Sequence, residues 1–389
     1  MKITVFCEIL GEENNGTTIA SMNLINYLIK KGHEVTVVCP DDDKKNKKGY
    51  VILPKLHLGY FIDKIIAANK VVPSKFDKEL VYNAMKDADI VHITFPLFLA
   101  KKASKMAKEL NKPLTASFHA QAENFTSHIF LKNNKLANHI AYLVYYNNLY
   151  IRADAIHYPT QFIKDLFEAQ IHKKTNAYVI SNGVNDIFKP IKIEKEEALK
   201  NKFCILFTGR FSQEKSHMVL LKAVKESKHE KDIQLIFAGD GPTKNKVIKY
   251  SKKHLTNQPI INFYSREDLV KLINQCDLYC HPSEIEIEAI SCLEAICCGL
   301  VPIISNSPRS ATKAFALDER SLFKVNNHKD LASKIDYFIE NKDEKEKLRE
   351  LYLSSSTVFN QTSCMEQMEQ MIIETYNKKK EEQNNGKNL

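Results

Sequence analysis

The sequence contains no apolar run near the ~18 residues that a membrane-crossing helix needs, so no such helix is expected. Arginine is scarce, at six residues in 389, so most of the positive charge is lysine. Lysine is a strongly hydrated point charge, suited to diffuse attraction more than to bidentate recognition. The nine cysteines lack any paired pattern: Cys276 and Cys280 are separated by three residues, Cys297 and Cys298 are adjacent, and no histidine pair stands nearby at ligand spacing. That argues against a zinc site or a disulfide framework and for reduced, mostly buried thiols. The start, Met1–Glu8, reaches an acidic residue too early for a secretory leader, so a cytoplasmic location is expected.

What is present is the composition of a folded protein, 44% hydrophobic and 26% charged, and the length suggests two or three domains. The net charge of +9 excludes an acidic solvating protein and permits an anionic partner such as phosphate, nucleic acid or a membrane surface. Residues 1–190 hold 25 basic against 18 acidic side chains, which is +7 of the total and leaves +2 for the rest.

Short β-branched runs alternate with helical patterns. Strands are expected at Lys2–Cys7, Glu34–Cys39, Ile90–Ile93, Leu114–Phe118, Ala155–Tyr158 and Ala177–Ile180, with a helix at Thr17–Lys31 ending on Gly32. A turn-rich break at Ser181–Asn185 and a charged stretch at Lys192–Lys202 mark a boundary. The rhythm then restarts, with strands at Phe203–Thr208, Ile233–Ala238, Ile260–Phe263, Leu278–His281 and Val301–Ser305, and helices near Lys215–Glu226 and Thr243–Lys253. This predicts two doubly wound α/β domains with ligand sites at strand C-termini. The expected division is 1–185, 186–355, a helix at 356–378 packing back toward the first domain, and a flexible tail at 379–389.

Several segments suit chemistry. In Pro282–Ala295, a helix starting near Ile287 would place Glu286 at its N-terminus and Glu294 two turns on, where a charge among Ile290, Leu293 and Ile296 needs partners such as ribose hydroxyls. The competing reading is an ordinary surface carboxylate. Thr208–Lys215 ends a strand with Gly209, Arg210 and Lys215, which suits a diphosphate but equally a solvated capping turn. Gly239-Asp240-Gly241-Pro242 is a tight strand-to-helix turn. In the first half, Asn15-Gly16-Thr17-Thr18 would let backbone approach a phosphate, and His119, after a strand, would meet a sugar hydroxyl or serve structure alone. Asp87 and Asp89 precede a strand, the wrong end for a metal site in a parallel sheet.

Together these motifs resemble the retaining glycosyltransferases of family 4, with the GT-B fold: two Rossmann-like domains facing a central cleft. The family pattern is Gly-Arg-x-x-x-Glu-Lys, then Gly-Asp-Gly-Pro, then Pro-Ser-x-x-Glu-x-Phe-Gly-x-x-x-Leu-Glu-Ala, and order and spacing agree over roughly residues 1–375. Phe118–Asn124, Glu286–Ala295, Ser310-Ala311-Thr312 and Phe315–Arg320 resemble bacterial 1,2-diacylglycerol 3-glucosyltransferases more narrowly. One departure is Glu288-Ala289 in place of Phe-Gly.

The resemblance implies transfer of glucose from UDP-glucose to diacylglycerol with retention, on the inner face of the cell membrane. Arg210 and Lys215 would hold the donor diphosphate, aided by Gly209, Ala289 and Ile290; Glu294 would hold the ribose, Glu286 and His119 the sugar, and Gly16 would admit the phosphates. Domain closure across Gly183 would expel water. No cofactor is required, with Mg2+ stimulation compatible. Leu56–Val72 and Ile129–Tyr150 mix apolar residues with lysines and suit an anionic lipid interface or, equally, core helices; nucleic acid is not needed to account for the charge. Two alternatives stand beside this: a family 4 enzyme using another sugar nucleotide on a soluble or polyprenyl-linked glycan, and an inactive GT-B partner subunit.

Overall fold

The computed structural model describes residues 1–8, 10, 16–57, 59–60, 63, 72–127 and 131–385. The chain divides into two units, residues 1–182 with 364–389, and residues 183–363. Of the proposed interface segment Leu56–Val72, Leu58, Phe61, Ile62, Lys64, Ile65, Ile66 and Lys70 lie outside the described residues, as do Asn15 and Ile129.

In unit 1 the β-branched runs form β1 (Lys2–Phe6), β2 (Glu34–Cys39), β3 (Tyr50–Ile52), β4 (Ile90–Ile93), β5 (Leu114–Ser117), β6 (Ala155–Tyr158) and β7 (Ala177–Val179). Their order is β3-β2-β1-β4-β5-β6-β7, and Ile3 of β1 stands opposite Val35 on one side and Ile90 on the other, parallel in both cases. Parallel neighbours require crossovers. These are α1 (Gly16–Lys30), α2 (Lys78–Met85), α3 (Phe98–Glu109), α4 (Ala122–Ser127), α5 (Lys135–Asn148) and α6 (Gln161–Ile171). Strands β4, β5 and β6 are buried along their whole length, as a sheet covered on both faces demands.

Unit 2 repeats the plan with β8 (Phe203–Thr208), β9 (Ile233–Ala238), β10 (Ile260–Asn262), β11 (Leu278–His281), β12 (Pro302–Ser305) and β13 (Leu322–Phe323), ordered β10-β9-β8-β11-β12-β13. Helices α7 (His217–Glu226), α8 (Lys244–His254), α9 (Arg266–Ile273), α10 (Ile290–Cys297), α11 (His328–Glu340) and α12 (Lys342–Ser355) cover it. Leu206, Phe207, Leu235, Phe237, Ile303 and Ile304 from the strands meet Leu293 and Ile296 from α10 in one core. In each sheet the strand order reverses beside the first strand, at β1/β4 and at β8/β11, which is where such folds bind ligands.

The structure corrects two expectations. The last helix, α13, runs Gln361–Asn385, so residues 379–385 are helical and not a flexible tail. The side chain of Asn360 accepts from Ser363 N (3.0 Å) and starts the helix there, after a 3-10 turn at Ser356–Phe359. Its end is supported by Lys379–Glu382 (3.3 Å) and by Gln383, which donates to Asn111 O (2.9 Å). Met365, Met368, Met371 and Ile372 of α13 join the unit 1 core with Leu24, Leu28 and Val37, and Glu369 accepts from His33 Nε2 at 2.7 Å. The second correction is the helix expected from Ile287, which begins at Ile290. Glu286 gives its N–H to Arg309 O (3.3 Å) and its carbonyl to Ala311 N (2.9 Å), so its backbone serves a neighbouring loop and not a helical turn.

Candidate functional site

Three loops converge at the C-terminal edge of β8, β9 and β11. Gly209 N donates to Ala238 O (3.0 Å), Phe211 N to Asp240 O (2.9 Å), and Thr243 N to Phe211 O (3.0 Å). A Cβ on Gly239 would lie 2.1 Å from Gly209 O, and one on Gly241 2.6 Å from Phe211 O. The Gly-Asp-Gly turn is therefore the support against which the Gly209–Lys215 turn closes, and any side chain there would push the two apart. Glu284 N donates to Glu214 O (2.8 Å) and ties in the loop after β11.

This brings together Lys215 and Glu286, which are 71 residues apart: the ammonium is paired with Oε1 of the carboxylate. His281 Nε2 donates to the same oxygen at 3.1 Å. Burial pushes the Glu286 carboxyl upward, but Lys215 and His281 outweigh it and hold it down at about 2, so it is ionised. With Nε2 donating, His281 Nδ1 accepts from the Tyr279 hydroxyl (3.3 Å), and burial keeps the ring neutral. Arg309 is paired with Glu284, and the Ser307 hydroxyl donates to Glu284 O (2.6 Å). Neither His281 nor Arg309 is among the site residues expected from the sequence. His281 carried a usable signal, since it ends a strand just as His119 follows one. Arg210 is half-buried on the Gly209–Lys215 turn.

Ala289 caps α10 in the left-handed region (φ 65°, ψ 67°), a conformation that accounts for glycine in the family pattern. Ile290 opens the helix, whose first N–H groups lack partners within it and so suit an anion. Glu294 lies half-buried one turn on; burial pushes its carboxyl up to about 7, with Arg266 acting the other way. Glu288 is buried.

Unit 1 holds the other expected residues. Gly16 is the first residue of α1, and a Cβ there would meet nothing within 4 Å, so its own packing does not demand glycine. His119 follows β5 and lines a small recess with Ser21, Thr94, His157 and Asn182; burial, then His157 and His92, hold its ring well below the usual histidine range. Beneath it a directed chain crosses three strands. His157 Nε2 donates to Ile180 O (2.7 Å), so its Nδ1 accepts from the Ser117 hydroxyl (3.0 Å). Ser117 Oγ then accepts from His92 Nε2 (3.0 Å), and His92 Nδ1 accepts from Thr115 (2.9 Å). Burial keeps both rings neutral, at about 3 for His92 and about 4 for His157.

Two other features lie at the N-terminal ends of strands. Asp89 accepts from Lys2 N (2.8 Å) at the opposite edge of the sheet, and no cluster of three or more metal-type ligands occurs among the described residues. A cavity of about 460 Å³ in unit 2, lined by Asn274, Asp277, Gly299, Lys345 and Arg349, lies at the C-terminal ends of α9 and α10. Helix C-termini disfavour anions, and the cations here are already engaged, Lys345 on Asp277 O (3.2 Å) and Arg349 on Glu346 (2.5 Å), so the cavity is a poor place for a diphosphate.

Two family models match in succession: Glycosyltransferase Family 4 over residues 14–187 and Glycosyl transferases group 1 over residues 188–351. The alpha-monoglucosyldiacylglycerol synthase of Streptococcus pneumoniae is 24% identical over 325 residues, covering 79% of this chain and 72% of that protein. The GDP-mannose-dependent alpha-mannosyltransferase of Mycolicibacterium smegmatis is 23% identical over 317 residues, 78% of this chain and 79% of that one. Among solved structures, Anabaena HepE in complex with UDP-glucose has the same fold, with a TM-score of 0.71 at 14% identity, covering 96% of this chain and 100% of that one. The catalytic domain of cholesterol-alpha-glucosyltransferase from Helicobacter pylori is 47% identical, covering 40% of this chain and 96% of that one, with a TM-score of 0.39.

Proposed function

Since this chain belongs to the family 4 glycosyltransferases and has the GT-B fold, we propose that it transfers glucose from UDP-glucose to 1,2-diacylglycerol, with retention, at an anionic membrane surface. The observation that carries the donor half is the loop cluster in unit 2, where Lys215, Glu286 and the N-terminus of α10 stand at the strand-order reversal.

In this reading Arg210 and Lys215 take the diphosphate and stabilise the negative charge that grows on it as the sugar leaves. Gly209 admits the backbone close to the phosphates, and the amides at Ala289 and Ile290 add donors. Glu294 accepts the ribose hydroxyls. Glu286 meets the sugar through Oε2, because Lys215 and His281 both take Oε1. His119 is a hydrogen-bond partner of the sugar, and Gly16 admits a phosphate. The acceptor hydroxyl forms its bond to the anomeric carbon on the face the phosphate leaves, and its proton passes to the departing phosphate oxygen. No metal takes part in these steps, and divalent stimulation is compatible with them.

The acceptor rests on what the pneumococcal relative is named for, and the mannosyltransferase relative favours a second reading with GDP-mannose as donor. The test is a panel of UDP- and GDP-sugars offered with diacylglycerol, a sterol and a soluble glycan, with products read by mass spectrometry and anomeric NMR. An α-linked glucosyldiacylglycerol from UDP-glucose is expected. Product from GDP-mannose alone, or sugar on the sterol or glycan only, would replace this assignment.

A further inference from the structure

Helix α5 inverts the usual arrangement of a surface helix. It packs on α3, α4 and α6 through a face that includes Asn138, Tyr142 and Tyr145, which are buried. Its outward face carries Leu136, Ile140 and Val144, exposed by 67%, 51% and 47%. These recur every four residues and so form one stripe, about 12 Å long at helical rise. Leu131 and Ile151, beyond the two ends of the helix, are exposed as well.

The charges in the segment that carries this stripe have one sign. Residues 124–153 contain no Asp or Glu, while Lys132, Lys135 and Arg152 fall among them. The neighbouring α3 exposes Lys101, Lys102 and Lys105. Across residues 97–175 there are eleven Lys and Arg against five Asp and Glu, nearly all of the excess in the first half of the chain. Three of the five acids are committed internally: Asp154 to Lys108 (2.6 Å), Glu168 to Lys174 (2.9 Å) and Glu123 to the Tyr142 hydroxyl (2.7 Å).

We propose that the outward face of α5, with the α3 lysines beside it, is the surface by which the protein lies on an anionic bilayer. The apolar stripe enters the acyl boundary with the helix in the interface plane, and the lysines meet the headgroups. A second copy of this chain is a poorer occupant, because a symmetric contact would bring lysines of like charge together. The inference rests on the lipid-acceptor reading for its purpose and specifies the surface that reading needs.

The experiment measures co-sedimentation with vesicles of phosphatidylcholine alone and with 30 mol% phosphatidylglycerol, without donor. Wild type should bind the anionic vesicles at least tenfold better. Ile140→Glu and Leu136→Glu should lose that binding tenfold or more with unchanged circular dichroism, and Lys132→Glu with Lys135→Glu should weaken binding to anionic vesicles only. Transfer to diacylglycerol in neutral detergent micelles should be the same for all. Wild type that ignores anionic vesicles, charge variants that bind like wild type, or a wild-type dimer that Ile140→Glu dissociates would each overturn the proposal. Transfer in micelles is read separately, so failure of the lipid-acceptor reading appears there and not in the sedimentation.

Discussion

Glu286 and Glu294 are eight residues apart and are shifted in opposite directions. Glu286 is ionised because Lys215 and His281 more than offset its burial; Glu294, with Arg266 as its counterweight, stays near 7. If Glu294 holds ribose hydroxyls as an acceptor, donor affinity rises as pH rises through 7. The expected result is a donor KM that falls between pH 6 and 8 in wild type and is flat in Glu294→Gln, read from initial rates.

Stability runs the other way. A carboxyl held above its unfolded value of about 4.5 favours the folded state fully below that pH, and the contribution is lost as pH rises through the folded value. Glu8, 3% exposed and pushed by burial to about 8 despite amide donors at Ser74 and Leu99, follows the same rule. Urea melts should show stability falling between pH 5 and 9, with Glu8→Gln removing a slope worth ~3–5 kcal/mol. Lys215→Ala strips a buried carboxylate of its partner and should cost ~3–5 kcal/mol. Adding Glu286→Gln should restore the fold but not turnover, which separates the structural cost from the catalytic one. Lys215, Glu286 and Glu294 were legible in the sequence because each lies in a motif. The pairing of Lys215 with Glu286, and the places of His281 and Arg309, depend on β8 lying beside β11, which local spacing does not encode.

At the scale of elements, strands were read closely: Glu34–Cys39, Phe203–Thr208 and Ile233–Ala238 run as their β-branched patterns predict. Helix starts were harder, since they depend on which backbone groups a tertiary neighbour takes. Ser216 in the left-handed region (φ 54°) delays α7 to His217, and the bonds of Glu286 to the 309–311 loop delay α10 to Ile290. Ala289 bears a comparable strain at the cap of α10. Ala289→Gly should stabilise the protein by about 1 kcal/mol, seen as a higher urea midpoint with an unchanged slope. A lower midpoint would mean that the left-handed cap is not under strain.

At the scale of the molecule, two doubly wound α/β domains were legible from the alternating rhythm, whereas the strand orders, with their reversals at β1/β4 and β8/β11, are set by tertiary pairing. The C-terminal helix was less so, because its polar last two turns read as solvated chain until Gln383 meets Asn111. The net charge is +6 in unit 1 and +3 in unit 2, so the positive excess is larger in the unit that carries α5. We propose that the unit 2 loop cluster drives transfer of glucose to lipid. The most direct test is the initial rate of labelled glucose transfer from UDP-glucose to diacylglycerol in anionic vesicles by wild type and by Lys215→Ala. Labelled lipid from wild type and about 100-fold less from the variant is the predicted result. No labelled lipid from wild type, or equal rates from the two proteins, would contradict it.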